Sequence, residues 1–474
     1  MSSKQSYDAI VIGSGPNGLA AAITLQQAGV QVLLLEAKST IGGGMRTAEL
    51  TLPGFHHDVC SAVHPMGMAS PFLSSLPLHA FGLEYIHPDV LAAHPFDDGT
   101  AAALYRSLDE TAAGLGEDNA AYQRLFAPLV RNWPKIDSHI LGPMLKMPKN
   151  PLALAAFGLK SLQSGKQVAA RFRTREAKGL WAGIAAHSMI PLESLTSSAI
   201  AFVLTIAGHR GGWPIPKGGS QSIADAMASY FQSLGGTIRT DTEVKALGDL
   251  PEAKAILFDT SPKQLLEICG DRLSPLCRWQ LKRHRYGMGV FKVDWALSEP
   301  VPFQADAARK AGTVHLGGTF NEIADSERQI WKNNHPEKPF VLFAQQSVFD
   351  ASRAPAGHTG WAYCHVPNGS TTDMTEAITN QVERFAPGFR DTIRAVHTFN
   401  TTDMEGYNAN YIGGDINGGV VNIAQLFNRP TLRLSPYRTS AKGLYICSAS
   451  TPPGGGVHGM CGYYAARQVL KDIF

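Results

Sequence analysis

The sequence predicts an α/β protein: a doubly wound parallel sheet assembled from three discontinuous segments, with an α+β domain inserted between them. Three observations carry that prediction. Residues 7–36, YDAIVIGSGPNGLAAAITLQQAGVQVLLLE, read as strand, glycine-rich turn, helix, strand. The same alternation returns at 223–258, and a final strand–loop–helix occupies 443–470. Alternating β and α elements call for parallel strands joined by helical crossovers.

In the first unit the apolar run Tyr7 to Ile12 enters Gly13-Ser14-Gly15-Pro16-Asn17-Gly18, a helix runs to about Ala28, and a second apolar run, Val32 to Leu35, ends on Glu36. Gly13 permits the tight turn, Gly15 lets backbone approach a pyrophosphate, and Gly18 allows helix and strand to pack closely. The helix N-terminus turns free N–H groups toward the phosphates. Glu36, at a strand end, is placed to accept hydrogen bonds from ribose hydroxyls. This is a Rossmann-like unit, with Gly13, Ser14, Gly15, Pro16, Asn17, Gly18, Glu36 and Ala37 as its candidate cofactor-binding residues. A second glycine-rich turn, Gly42 to Thr47, is placed to close over the same ligand and adds Gly43, Gly44, Met45 and Arg46.

From Ser74 to about Arg210 the pattern is mainly helical, with segments around 119–133, 151–163 and 176–190. The loop Trp213 to Ser220 then leads into a helix from Ile223 to Leu234, a Gly235-Gly236 stop, and strands at Thr237–Arg239 and Ala255–Phe258. Residues 287–297, 313–318, 340–348 and 360–366 read as strands of a second, largely antiparallel sheet. The expected cofactor domain therefore comprises 1–75, 211–265 and 430–474. The expected substrate domain comprises 76–210, its helical part, and 266–429, its sheet.

Composition narrows the function. A chain of 474 residues buries a large core, and 44 % hydrophobic with 17 % charged residues describes an ordinary folded protein. A net charge of +3 gives no case for nucleic acid. No apolar run approaches the roughly 20 residues that span a bilayer, and a first strand near Tyr7 leaves no room for a signal peptide. The six cysteines are scattered without a CxxC, which argues against a redox disulfide or zinc site and suits a reducing cytoplasm. No metal is expected.

Near the C-terminus, the strand Leu444 to Ser450 runs into Thr451-Pro452-Pro453-Gly454-Gly455-Gly456-Val457-His458-Gly459, and a helix begins near Met460. Gly454, Gly456 and Gly459 match GxGxxG, but no acid stands at the distance a second nucleotide site would need. This helix start is better read as approaching the first ligand from the other side.

These features resemble the FAD-dependent phytoene desaturase-related group within the amine oxidase-like flavoproteins, on the branch called pyridine nucleotide-disulphide oxidoreductase domain-containing protein 2. The residues that carry the resemblance are the N-terminal unit with Gly42-Gly43, Pro53 to Asp58, Trp213 to Ser220, Gly413 to Gly419, Arg429-Pro430, Tyr437-Arg438-Thr439 and the PPGGGVHG loop. The resemblance implies FAD as cofactor and an apolar substrate held against the flavin. It implies that Gly13, Gly15 and Gly18 hold the pyrophosphate and Glu36 the adenosine ribose. Gly43, Gly44 and Arg46 would line the flavin side, and Val244, in a strand-like Thr242-Glu243-Val244, would meet the adenine. Ser448, Ala449, Gly456, Val457, His458 and Gly459 would close the site. The sequence departs from the group in carrying Arg46 two residues beyond the usual GGR position, and in lacking any cysteine pair.

On this reading the chain is an FAD-dependent oxidoreductase that dehydrogenates an isoprenoid or lipid-like substrate, with oxygen or a quinone as acceptor. A redox-neutral isomerase, a saturase, and a non-catalytic prenyl- or lipid-binding protein are the competing readings. Two histidines are candidate catalytic residues. His458, in the cofactor loop, either contacts flavin and substrate or only fixes the turn; His64, in Ser61 to Pro65, either meets substrate or packs. His56 and His57 are adjacent on a strand and point to opposite faces, so they do not form a metal site. Residues 135–178 hold nine basic residues (Lys135, Lys146, Lys149, Lys160, Lys166, Arg171, Arg173, Arg175 and Lys178) against Asp137 and Glu176, around the apolar Pro151 to Leu159. Such a segment either rests on an anionic membrane surface or is a solvated face.

Overall fold

In the computed structural model, which describes residues 6–143, 147–426 and 428–474, the apolar runs Ala9–Ile12 and Val32–Leu35 pair in parallel from Ala9 against Val32 to Ile12 against Leu35. They form the centre of a five-stranded, wholly parallel sheet in the order Leu444–Ile446, Ala255–Phe258, Ala9–Ile12, Val32–Leu35, Thr237–Arg239. The strands read as unbroken apolar runs because both faces are covered. Ala9, Val11, Val32, Leu34 and Leu257 pack against the helices Pro16–Gln27, Gln221–Ser233 and Met460–Asp472. Ile10, Ile12, Leu33, Phe258 and Ile446 pack against Pro262–Cys269 and Pro275–Lys282.

The second sheet has seven strands, in the order Ile393–Phe399, Gly289–Leu297, His358–Val366, Val341–Ala344, Ala311–Leu316, Val90–Pro95, Ala101–Tyr105. All neighbours are antiparallel except Ala311–Leu316 with Val90–Pro95. Val293, Ala362, Phe343 and Val314 form an outer core with the helix Thr375–Phe385. On the opposite face, cross-strand pairing aligns Lys292, Tyr363, Leu342 and His315 in one row, and Asp294, Trp361, Ala344 and Thr313 in the next. The helix Arg175–Ala186 lies on this inner face. A Cβ at Gly179 would come within 2.6 Å of the His94 ring and one at Gly183 within 2.7 Å of His315, so these two glycines, one turn apart, allow the close seat.

Three sequence expectations are corrected. The stretch 76–210 is not helical throughout, since the hairpin Val90–Pro95 and Ala101–Tyr105 adds two strands to the second sheet. Its strands are alanine-rich and short, which leaves periodicity ambiguous. The strand Ile393–Phe399 forms the sheet edge and was not anticipated. Thr242 to Val244 is an extended loop, not a strand.

Candidate active site

The carboxyl ends of the parallel strands set the site, as they do in open α/β sheets. Gly13 follows Ile12, Glu36 follows Leu35, Asp259 follows Phe258, and Cys447-Ser448 follows Ile446. Gly13, Glu36, Asp259 and Ser448 border one cavity of about 740 Å³. Gly13 (φ +97°) is left-handed, and a Cβ there would lie 2.9 Å from the Asp259 carbonyl oxygen. A Cβ on Gly15 would lie 2.8 Å from Asp259 Oδ2, and one on Gly43 2.9 Å from Gly15 Cα. Bare backbone is therefore what forms this end of the cavity.

Glu36 is held firmly. Its Oε2 accepts from Ser14 N (3.1 Å) and Ser14 Oγ (2.5 Å), and its Oε1 from Lys38 N (3.0 Å) and Arg46 Nη2 (3.1 Å). Arg46 also donates to the Thr40 carbonyl and lies 5.4 Å from the centre of the Tyr407 ring. Arg46 borders the cavity, and its guanidinium is held by Glu36, the residue assigned to the ribose. The sequence reading of Met45 as a cofactor-binding residue is corrected: its side chain is fully buried in the core and does not border the cavity.

Gly13, Ser14, Gly15, Pro16, Asn17, Glu36, Ala37, Gly43, Gly44, Val244, Ser448, Ala449, Gly456 and Val457 all border the cavity. Gly18 and Gly459 do not. Gly18 sits behind the cradle, where a Cβ would strike the Gly13 carbonyl at 1.9 Å, and its amide donates to Asp259 Oδ2 at 2.8 Å. Gly459 (φ +68°) starts the last helix, pressed against Ala20 and Phe72.

His458 is also outside the cavity wall. Its Nδ1 accepts from Met460 N at 3.0 Å, so its proton resides on Nε2, which donates to the Gly454 carbonyl at 3.1 Å. Burial lowers its pKa to about 4 and keeps it neutral. Both ring nitrogens are spent on the loop, so the turn-fixing reading replaces the catalytic one. His64 does border the cavity. Ser220 Oγ donates to the Ser61 carbonyl (2.6 Å) and accepts from His64 Nε2 (2.8 Å), leaving His64 Nδ1 buried with no partner among the described residues. Burial lowers this pKa to about 4 as well.

Ser220 is fixed in turn by Asp58, whose Oδ1 accepts from Ser220 N (2.7 Å) and Thr47 Oγ1 (2.8 Å) and whose Oδ2 pairs with Arg353 (2.6 Å). The Asp58 carbonyl accepts from Trp361 Nε1 at 2.8 Å, tying the cradle to the second sheet. The strand His56–Asp58 separates its histidines as expected: His57 is buried 3.6 Å from Asp294, while His56 reaches toward Glu49.

Sequence reasoning missed the far end of the cavity. There the walls come from Thr313, Leu342, Trp361 and Tyr363 of the seven-stranded sheet and from His187, Ile200, Leu204 and Trp213. It also missed Asp259, whose only sequence signal is its position at a strand end. Among the described residues no cluster of His, Cys, Asp and Glu could hold a metal, and the six cysteines are unpaired.

The family model for flavin-containing amine oxidoreductases matches residues 17–265, more than half of the chain. Over 99 % of its length the chain is 25 % identical to mouse (Mus musculus) pyridine nucleotide-disulfide oxidoreductase domain-containing protein 2, covering 94 % of that protein. It is 24 % identical to the lycopene-forming phytoene desaturase of Paracoccus sp., covering 98 % and 97 % of the two chains. Among solved structures, putrescine oxidase bound to putrescine superposes with a TM-score of 0.62 at 16 % identity, over 98 % of each chain.

Proposed function

The chain belongs to the flavin-containing amine oxidoreductase family, an FAD-dependent oxidoreductase by that membership, and on that premise we propose that it dehydrogenates an apolar, isoprenoid or lipid-like molecule and passes the electrons to oxygen or a quinone. The observation that carries this reading is the continuity of the cavity: a glycine cradle with Glu36 at one end and a wall of Leu204, Trp213, Leu342 and Trp361 at the other. Gly13 to Asn17 would hold the FAD pyrophosphate, Glu36 the ribose, Val244 the adenine, and Ser448, Ala449 and Val457 the flavin end. FAD supplies a two-electron acceptor. The protein's own contribution is orientation and exclusion of water by the apolar wall. The likeness to a phytoene desaturase supports an isoprenoid class.

The protein is also proposed to rest on a membrane surface through the helix Pro151–Ser161. No described helix is long and apolar enough to cross a membrane, yet Met147, Leu152, Leu159 and Leu162 stand exposed beside Lys149 and Lys160. Arg175, by contrast, is paired with Asp98 and Glu176, and Lys146 lies outside the described residues.

Anaerobic titration of the purified protein with a host lipid extract tests the reaction. Bleaching of the oxidised-flavin band is the expected result, with loss of two hydrogens in the product mass. An intact flavin band against every lipid fraction would reject a dehydrogenase of this substrate class.

A further inference from the structure

The far end of the cavity is apolar but holds three polar side chains that keep hydrogen-bonding capacity unused among the described residues. Thr313 is 2 % exposed, and its Oγ1 has no hydrogen-bond partner among the described residues. Tyr363, half-buried, stands one position along the same face from Trp361. His187, at the C-terminal end of the helix Arg175–Ala186, borders the cavity with its Nε2 3.0 Å from His315 Nε2.

The proton between the two imidazoles can be assigned. Two facing Nε2 atoms need one donor and one acceptor. If His187 donated, His315 would carry its own proton on Nδ1, which is buried without an acceptor. An orphaned buried N–H is the less tolerated arrangement. His315 therefore donates from Nε2, and His187 accepts at Nε2 and carries its proton on Nδ1. That leaves His187 Nδ1–H as a donor for the cavity. Burial holds His187 neutral, with a pKa lowered to about 3.

Lysine, arginine and carboxylate side chains are missing from this end of the cavity among the described residues. The charged groups around it are paired among themselves, Lys292 with Asp294 and Glu327 with His365. A cationic substrate would find no free counter-ion here, and a pure hydrocarbon would leave Thr313 Oγ1 and His187 Nδ1–H without partners.

Building on the dehydrogenase reading above, we infer that the substrate is a neutral, oxygen-bearing isoprenoid or lipid, an alcohol or carbonyl compound, whose oxygen is received by His187 Nδ1–H with Thr313 and Tyr363 beside it. These residues are specificity determinants and require no charge on the ligand.

The test uses three ligands with one carbon skeleton: geraniol, geranylamine, and the hydrocarbon 2,6-dimethyl-2,6-octadiene. Binding to the FAD-loaded protein is read by quenching of tryptophan fluorescence, since Trp213 and Trp361 border the cavity, and by perturbation of the flavin spectrum. Geraniol is expected to bind at least about 10-fold tighter than the hydrocarbon and than the amine at pH 7. His187→Phe keeps an aromatic ring against Trp213 and His315 and Thr313→Val keeps the shape, so both variants should fold. Each should bring alcohol and hydrocarbon closer, and together they should leave them within about 2-fold. Equal or tighter hydrocarbon binding by the unaltered protein overturns the inference while the dehydrogenase reading stands. Preference for the amine overturns it equally. Failure of all three to bind, with the flavin band present, removes the apolar-substrate reading and this inference with it.

Discussion

Gly18 donates its amide to Asp259 Oδ2 across 2.8 Å, so the helix that opens the nucleotide site begins against a buried acid from a neighbouring strand end. Burial, with a smaller contribution from the Glu36 carboxylate, raises the Asp259 pKa to about 7 against the pull of the Gly18 hydrogen bond. Placing a pyrophosphate in the Gly13–Asn17 cradle adds negative charge beside this carboxyl and favours its protonated form. FAD binding is then expected to take up a proton. Affinity should weaken as pH rises beyond about 7, by up to about 10-fold per pH unit. The apoprotein should follow the same sign. An acid with a raised folded-state pKa contributes its full stability below the unfolded value and loses it as pH climbs through about 7. Asp259→Asn keeps an acceptor for Gly18 and should flatten both profiles. Fluorescence titration of apoprotein with FAD from pH 6 to about pH 9 measures the slope, and a wild-type slope of zero rejects the assignment.

The two helices that flank the cradle cross at a point that admits no side chain. A Cβ on Gly462 would come 1.8 Å from the Asn17 carbonyl oxygen, and one on Gly18 1.9 Å from that of Gly13. Gly462→Ala should destabilise by roughly 1–3 kcal/mol or more and should weaken FAD binding, because it pushes the helix Met460–Asp472 off Pro16–Gln27. Gly158→Ala is the control: open space surrounds its Cβ within the helix Pro151–Ser161, so a gain of about 0.5–1 kcal/mol is expected from backbone entropy alone. Paired thermal melts decide whether steric closure or general glycine loss controls stability.

How much of this was legible in the sequence follows from the range of the interactions. The Gly13-to-Glu36 unit is encoded within one short window, where turn glycines, helix start and strand end are local. The same holds for the strands Ala255–Phe258 and Gly289–Leu297. The partner of Arg46 was not legible because it is chosen in three dimensions: the guanidinium reaches back to Glu36. His458 looked exposed to chemistry because it sits in a glycine loop, yet its nitrogens close that loop on itself. The His187–His315 pair joins residues 128 positions apart, from a helix end and a sheet interior, and no local pattern announces it. The hairpin at Val90–Tyr105 carried one signal, Asp97-Asp98-Gly99 between short runs, but alanine-rich strands mimic a helix.

Arg353 and Asp58, both fully buried, anchor the wall that carries His64. Arg353→Met removes one charge and strands the other in the interior, which should cost about 3–5 kcal/mol. Arg353→Met combined with Asp58→Asn should recover part of that loss, since the asparagine retains an acceptor toward Ser220 without a buried charge. A denaturant-melt cycle over the four proteins gives the coupling. Additive single effects would show that the pair does not act as a unit.

The exposed helix face yields a prediction about location. Leu152 is 86 % exposed and Leu159 70 %, and Met147 is 87 % exposed just before the helix. Exposed apolar side chains beside lysines are the pattern of a helix that lies in a bilayer interface, where apolar burial and attraction to anionic headgroups add. The apolar term is carried by the leucines and the electrostatic term by Lys149 and Lys160, so two variants separate them. Leu152→Glu with Leu159→Glu should abolish flotation with vesicles of any charge. Lys149→Gln with Lys160→Gln should lower binding only to anionic vesicles, and high salt should mimic it. None of these positions borders the cavity, so flavin content should be unchanged throughout. Wild-type protein that stays at the bottom of the gradient with anionic vesicles at low salt would reject the membrane reading and leave this a solvated face.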